Sequence, residues 1–124
     1  MAAKILIIED NERNRAILRD ILVFAGYEVI EAPNGREGLE SARKNLPALV
    51  LLDIQMPGMD GYEVGRTLKA DPSTKNIIII AVTSYAMEGD KAKILAAGID
   101  DYVSKPYDIM DMLELVKKKV APAP

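Results

Sequence analysis

Two hydrophobic rhythms alternate along this chain. Short unbroken apolar runs, Ile5-Leu6-Ile7-Ile8, Leu49-Val50-Leu51-Leu52 and Ile77 to Val82, are each followed by a longer stretch in which apolar residues recur every three or four positions. A continuous Val/Ile/Leu run reads as a strand buried on both faces, and the three-to-four spacing reads as an amphipathic helix. The first helix carries Leu18, Ile21, Leu22 and Ala25 against Glu12, Arg13, Arg15, Arg19 and Asp20, with Gly26 as its stop. Glycine supplies the left-handed residue that helix C-termini commonly need. Tyr27 to Glu31 follows as a more polar strand of edge character.

Asn34 with Glu37, and Asp60 with Glu63, repeat an N-cap pattern with a carboxylate three residues on. The first opens a helix with Leu39, Ala42 and Leu46 on its apolar stripe and Pro47 as its end. The second opens a helix with Val64 and Leu68 that ends near Ala70-Asp71-Pro72. After the Ile77 run, a less periodic helix is predicted from about Met87 to Ala97, with Ala92, Leu95 and Ala96 inward and Gly98 as stop. Tyr102-Val103-Ser104 is a short fifth strand, and the last helix carries Ile109, Met112, Leu113, Val116 and Val120. Strand and helix thus alternate five times. That order predicts an α/β fold: a three-layer α/β/α sandwich around a five-stranded parallel sheet with right-handed crossovers.

At 124 residues, 49% hydrophobic and 28% charged, the chain fits one ordinary globular domain, expected over residues 1–120 with 121–124 as a frayed tail or linker stub. A net charge of −3 gives no basic footprint for nucleic acid. The longest apolar run is far short of the roughly 20 residues that span a bilayer. With no signal-peptide pattern at Met1-Ala2-Ala3-Lys4 either, a cytoplasmic location is expected. Zero cysteines remove disulfides and thiolate chemistry, and zero histidines remove imidazole bases, imidazole metal ligands and phosphohistidine. The chemistry left is that of carboxylates, hydroxyls, lysines and backbone.

In a parallel sheet the residues just after each strand gather along one edge, and ligands bind there at the point where strand order reverses. For the order 2-1-3-4-5 that point lies between the first and third strands. The gathered set is Glu9, Asp10, Asp53, Thr83 and Lys105. Carboxylates so close repel one another unless a cation sits among them, and oxygen-only ligands favour a hard ion, Mg²⁺ best. A divalent cation, an ammonium and a hydroxyl around Asp53 suit a phosphoryl group in transit, with Asp53 as nucleophile. Taken singly, each residue has a plainer role: Asp10 or Asn11 as a cap of the first helix, Thr83 as a cap of the fourth, Lys105 as a surface lysine, Pro106 in a trans turn, and Tyr85, Tyr102 and Tyr107 as packing residues. Independent capping does not explain the whole set on one sheet edge.

Glu9-Asp10, Asp53 within LLDIQMPGMDG, Thr83 in AVTSYA and Lys105-Pro106 in YVSKP, in this order and spacing, closely resemble the receiver domain of two-component response regulators over nearly the whole chain. The resemblance implies the flavodoxin-like, CheY-like fold, with Asp53 accepting a phosphoryl group from the phosphohistidine of a histidine kinase or histidine phosphotransfer protein. It implies Mg²⁺ held by Asp10, Asp53 and the carbonyl of Gln55, with Glu9 acting partly through water. A cis bond before Pro106, a switch pair of Thr83 and Tyr102, and tuning of dephosphorylation by the side chains of Gln55 and Tyr85 are also implied. The downstream protein target would bind the face of the fourth helix, fifth strand and fifth helix, the receiver being a monomer or weak homodimer. With no effector domain after the last helix, the chain looks like a single-domain receiver of the chemotaxis or cell-division type; Glu9-Asp10-Asn11 followed by Asn14 leans to the latter and to phosphorelays.

Such a protein would catalyse only its own phosphorylation and dephosphorylation. Other readings stay open: a receiver cut from a longer regulator or hybrid kinase, a receiver-fold binding module that is never phosphorylated, and a phosphatase of the haloacid dehalogenase type. The last uses a second Asp two residues after the nucleophile, where this chain has Gln55.

Overall fold

The computed structural model describes residues 2–84 and 88–120. Tyr85, the predicted helix start at Met87 and the tail 121–124 lie outside the described residues. The elements run β1 (Lys4–Ile8), α1 (Glu12–Phe24), β2 (Glu28–Ala32), α2 (Gly35–Asn45), β3 (Leu49–Asp53), α3 (Gly61–Ala70), β4 (Ile78–Thr83), α4 (Glu88–Ala96), β5 (Asp101–Ser104) and α5 (Ile109–Val120). The strands form one parallel sheet of order β2-β1-β3-β4-β5, the α/β/α architecture expected of the alternating pattern.

Side chains alternate across the sheet and build two cores. Leu6, Ile8, Val50, Leu52, Ile79 and Ala81 face one layer with Leu39, Val64, Leu68 and Ile94. Ile5, Ile7, Leu49, Leu51, Ile80 and Val82 face the other with Leu18, Leu22, Met112 and Val116. Every residue of β3 is buried, so this central strand can shift only by disturbing both layers.

The helix ends explain where pattern and structure differ. Gly26 (φ 98°) and Gly98 (φ 80°) both close six-residue turns: Tyr27 N–H reaches Leu22 O at 3.1 Å, and Ile99 N–H reaches Ile94 O at 3.2 Å. The second turn fixes the phase of α4, because Ile99 tucks into the core beneath Ile94 and both are buried. Ile94 and Ala97 therefore face inward, whereas Ala92, Leu95 and Ala96, the predicted stripe, are exposed, Leu95 by 68%. Leu46 also departs from its predicted stripe: it caps α2 in the left-handed region (φ 45°) and is 56% exposed. Pro47 disfavours helical geometry at the residue before it, so the helix must stop there. Ala25 likewise caps α1 and is exposed.

One close approach ties the fold to its rim. A Cβ on Gly61, the first residue of α3, would fall 2.7 Å from Asp53 O and 2.7 Å from Ile54 Cα. Both are backbone atoms at the end of the central strand, so neither can yield cheaply. Gly61→Ala is expected to cost about 1–3 kcal/mol in urea unfolding through overpacking alone; a wild-type midpoint would show that the strand end can move.

Candidate functional site

Ile8 pairs with Leu52 across β1 and β3, so Glu9 and Asp53 leave the sheet side by side at the switch point. Glu9 N–H still bonds Ala32 O at 3.1 Å, which prolongs the ladder by one residue and holds that backbone in line. Arg15 steadies the turn from α1 by donating through Nη1 to Glu9 O at 2.9 Å. The two carboxyl groups are 2% and 5% exposed, while Asp10 next to them is exposed. Asn11 caps α1, its side chain accepting from Asn14 N–H at 2.9 Å. The helix cap thus falls to Asn11, and Asp10 is left for other work. Oxygens of Glu9, Asp10 and Asp53 all lie within 4.8 Å of one another.

Lys105 follows β5, its N–H bonded to Thr83 O at 2.7 Å and its peptide to Pro106 cis. The ammonium reaches across to Glu9 Oε1 at 3.6 Å and Asp53 Oδ1 at 3.7 Å. One cation is thus shared by two buried carboxylates, and Glu9 Oε2 is buried without a hydrogen-bond partner. The Asp53 carboxyl is pushed up to about 8, first by burial and then by the adjacent Glu9, against the opposing pull of Lys105 and of the Gln55 N–H. An orphaned buried carboxylate oxygen in an all-oxygen set short of positive charge fits a hard divalent cation.

Thr83 and Tyr102 belong to the opposite side of the sheet. Thr83 continues the alternation of Ile79 and Ala81, and Tyr102, paired with Ala81, packs against that same core. The Lys91 ammonium lies 5.7 Å from the Tyr102 ring centre. Thr83, 1% exposed, accepts at Oγ1 from Gln55 Nε2 at 2.9 Å. The Gln55 backbone N–H donates to Asp53 Oδ1 at 3.2 Å, so residue 55 meets both the carboxylate and the hydroxyl.

A cavity of about 290 Å³ opens beside Asp53 between α1 and α5. Glu9, Asp53 and Lys105 form its polar end, and Ile17, Leu18, Tyr107 and Ile109 form apolar walls. Sequence reasoning missed Ile17 and Ile109 as site residues. A signal existed: Ile17 and Phe24 are apolar yet lie outside the core stripe of α1, and they are 45% and 94% exposed. The Arg15 brace and the Gln55 side-chain contact were also missed, since both join positions unrelated in sequence spacing.

A five-stranded parallel α/β domain with acids, a lysine and a hydroxyl gathered at its switch point is the architecture of a receiver. Residues 5–117 match the response regulator receiver domain family, and the chain belongs to it. It is 41% identical over 123 residues to the polar-differentiation response regulator DivK of Brucella anthropi, covering 99% of this chain and 100% of that protein. Its fold is similar to that of the Vibrio cholerae chemotaxis protein CheY4 (TM-score 0.91, 28% identity, 95% of this chain and 98% of that one). The receiver domain of the Pseudomonas aeruginosa sensor histidine kinase PA1611 is equally similar (TM-score 0.90, 29% identity, 98% and 100% covered) and has magnesium coordinated in its active-site cleft.

The raised Asp53 carboxyl fixes the sign of a pH effect. A folded-state value above the ordinary 3.8 means that the folded form keeps a proton the unfolded chain releases, so stability is lost as pH rises from about 4 towards about 8. Without divalent cations, Asp53→Asn removes that loss and is expected to exceed wild type by roughly 1–3 kcal/mol at pH 8, with the gap closing by pH 4. Urea unfolding of both proteins across that range measures it; parallel curves would contradict the buried-charge account.

Proposed function

We propose that this chain is a phosphoacceptor switch, taking a phosphoryl group from a partner's phosphohistidine onto Asp53. The observation that carries the reading is the Asp53 carboxylate itself, fixed at the end of a fully buried strand between two acids and the Lys105 ammonium. An Asp53 oxygen attacks phosphorus as the bond to the histidine nitrogen breaks, and the imidazole leaves with that electron pair. Little covalent help is needed in such a transfer, so catalysis consists of positioning and charge neutralisation. The Gln55 N–H holds Oδ1, and Lys105 offers positive charge beside it. Mg²⁺, supported by the three-carboxylate cluster and by the magnesium-bearing relative, would be held by Glu9, Asp10, Asp53 and the Gln55 carbonyl, and would neutralise charge on the phosphoryl oxygens. Exposed Ile17 and Ile109 at the cavity lip offer apolar ground for the histidine kinase or phosphotransfer protein that brings the phosphoryl group.

Phosphorylation adds charge and acceptor oxygens at Asp53. Thr83 moves to bond them, and the half-buried Tyr102 ring shifts into the space released, changing the α4–β5–α5 face. That surface carries a groove lined by Tyr102, Val103, Tyr107, Asp111, Met112 and Leu115, and so offers a protein target ground that moves with the switch. A target must bind the two states differently for a signal to pass. The identity to DivK supports a role in polar differentiation. Apart from handling its own phosphoryl group, the protein is a regulator and not an enzyme. No helix among the described residues is long and apolar enough to cross a membrane.

Acetyl phosphate with Mg²⁺ is expected to add one phosphoryl group by intact mass, Asp53→Asn to add none, and chelation to slow uptake at least about tenfold, the size expected when a metal-borne electrostatic contribution to transfer is lost. An unchanged mass, also with a cognate kinase, would favour a receiver-fold binding module that is never phosphorylated. Tyr102→Ala is expected to take up phosphate at the wild-type rate yet bind its target roughly fivefold to tenfold less responsively, a coupling of ordinary size. Undiminished target binding on phosphorylation would remove the aromatic ring from the switch.

A further inference from the structure

Gln55 is an exposed residue, yet both ends of its side-chain amide are engaged. Nε2 donates to Thr83 Oγ1 at 2.9 Å, and Oε1 accepts from Ser84 N–H at 3.3 Å. A backbone N–H can only donate, so the amide oxygen must face Ser84 and the NH₂ group must face Thr83. The backbone N–H of the same residue donates to Asp53 Oδ1 at 3.2 Å. One residue therefore grips the acceptor carboxylate with its main chain and the end of β4 with its side chain.

We infer that the Gln55 side chain is a latch that holds the Thr83–Ser84 rim in its resting place, making Gln55 a positioning residue that sets the threshold for switching. The inference rests on Asp53 being the phosphoacceptor and deepens that reading. For Thr83 to engage a phosphoryl oxygen, the end of β4 must move relative to the loop after β3, and the two amide bonds join those two segments. A Thr83 hydroxyl donating to a charged phosphoryl oxygen makes a stronger bond than either neutral hydrogen bond of the latch, so the modification overcomes it. Without the phosphoryl group, the latch favours the resting rim. The Gln55 side chain itself is exposed, so its removal bears on the rim and opens no cavity in either core. This role concerns the resting state and is separate from any effect of residue 55 on how fast a phosphoryl group is lost.

Gln55→Met keeps the length of the side chain and loses both hydrogen bonds, and Gln55→Ala removes the chain beyond Cβ. Two measurements on the intact protein test the latch. In the free protein, without metal, amide hydrogen exchange at Ser84 is expected to quicken in both variants. With Mg²⁺ present, the apparent affinity for beryllofluoride, a phosphoryl mimic, is expected to rise about threefold to tenfold, the range given by one net hydrogen bond lost from the resting state. Faster Ser84 exchange with unchanged or weaker beryllofluoride affinity overturns the latch, as does unchanged exchange. A wild-type protein that ignores beryllofluoride overturns the acceptor reading itself, and the latch with it.

Discussion

Two carboxylates buried against one ammonium are the constraint on which this molecule turns. Glu9 and Asp53 are both nearly inaccessible, both within 3.7 Å of Lys105, and short of one positive charge between them. Burying a charge is costly unless it is paired, and removing one partner from a buried set leaves the others uncompensated. A fold that only needed to be stable would not keep this set. The sheet can hold it because its central strand is packed from both sides, with ladders to β1 and β4 that fix the strand end.

The excess of negative charge also explains why the site should respond to the groups that arrive there. A divalent cation, if bound, would offset the burial and the adjacent Glu9 that push the Asp53 carboxyl up to about 8, and would displace whatever proton the pair retains. A phosphoryl group on Asp53 would restore negative charge to the same place. On the proposed reading, metal, proton and phosphoryl occupancy are linked through one electrostatic balance, in which Lys105 is the positive charge that the protein itself supplies.

Much of this was legible in the sequence because the information is local. Uninterrupted apolar runs marked the buried strands, Asn34 and Asp60 marked helix starts, and the residue following each run marked the rim. The features that escaped depend on contacts between segments. Gly98 was recognisable as a helix stop, yet the phase of α4 comes from Ile99 folding back under Ile94, and a nine-residue helix offers too few turns for periodicity to decide between Ile94 and its neighbour Leu95. Leu46 fitted the helical spacing, and only the steric demand of Pro47 removed it. Asp10 and Asn11 were both candidates for the cap, and the Asn14 N–H selects Asn11. The amide of Gln55 reaches a hydroxyl 28 residues away, a pairing that no spacing rule anticipates.

The two faces of the sheet divide the work. Asp53 continues the alternation of Leu49 and Leu51 and lies on the α1/α5 side, where the cavity opens. Thr83 and Tyr102 keep to the alternation of the other layer, where α4 packs. A chemical event on one side must therefore be passed around the rim to reach the other, because the sheet between them is filled with residues such as Leu52, Ala81 and Val82 that leave no room for a polar path. The loop after β3 is one such route. Residue 55 lies on it with its main chain turned to the carboxylate and its side chain to the hydroxyl. On the reading of Asp53 as the acceptor, the rigid strand that holds it leaves the response to the neighbouring strand end, where Thr83 is the last residue of β4.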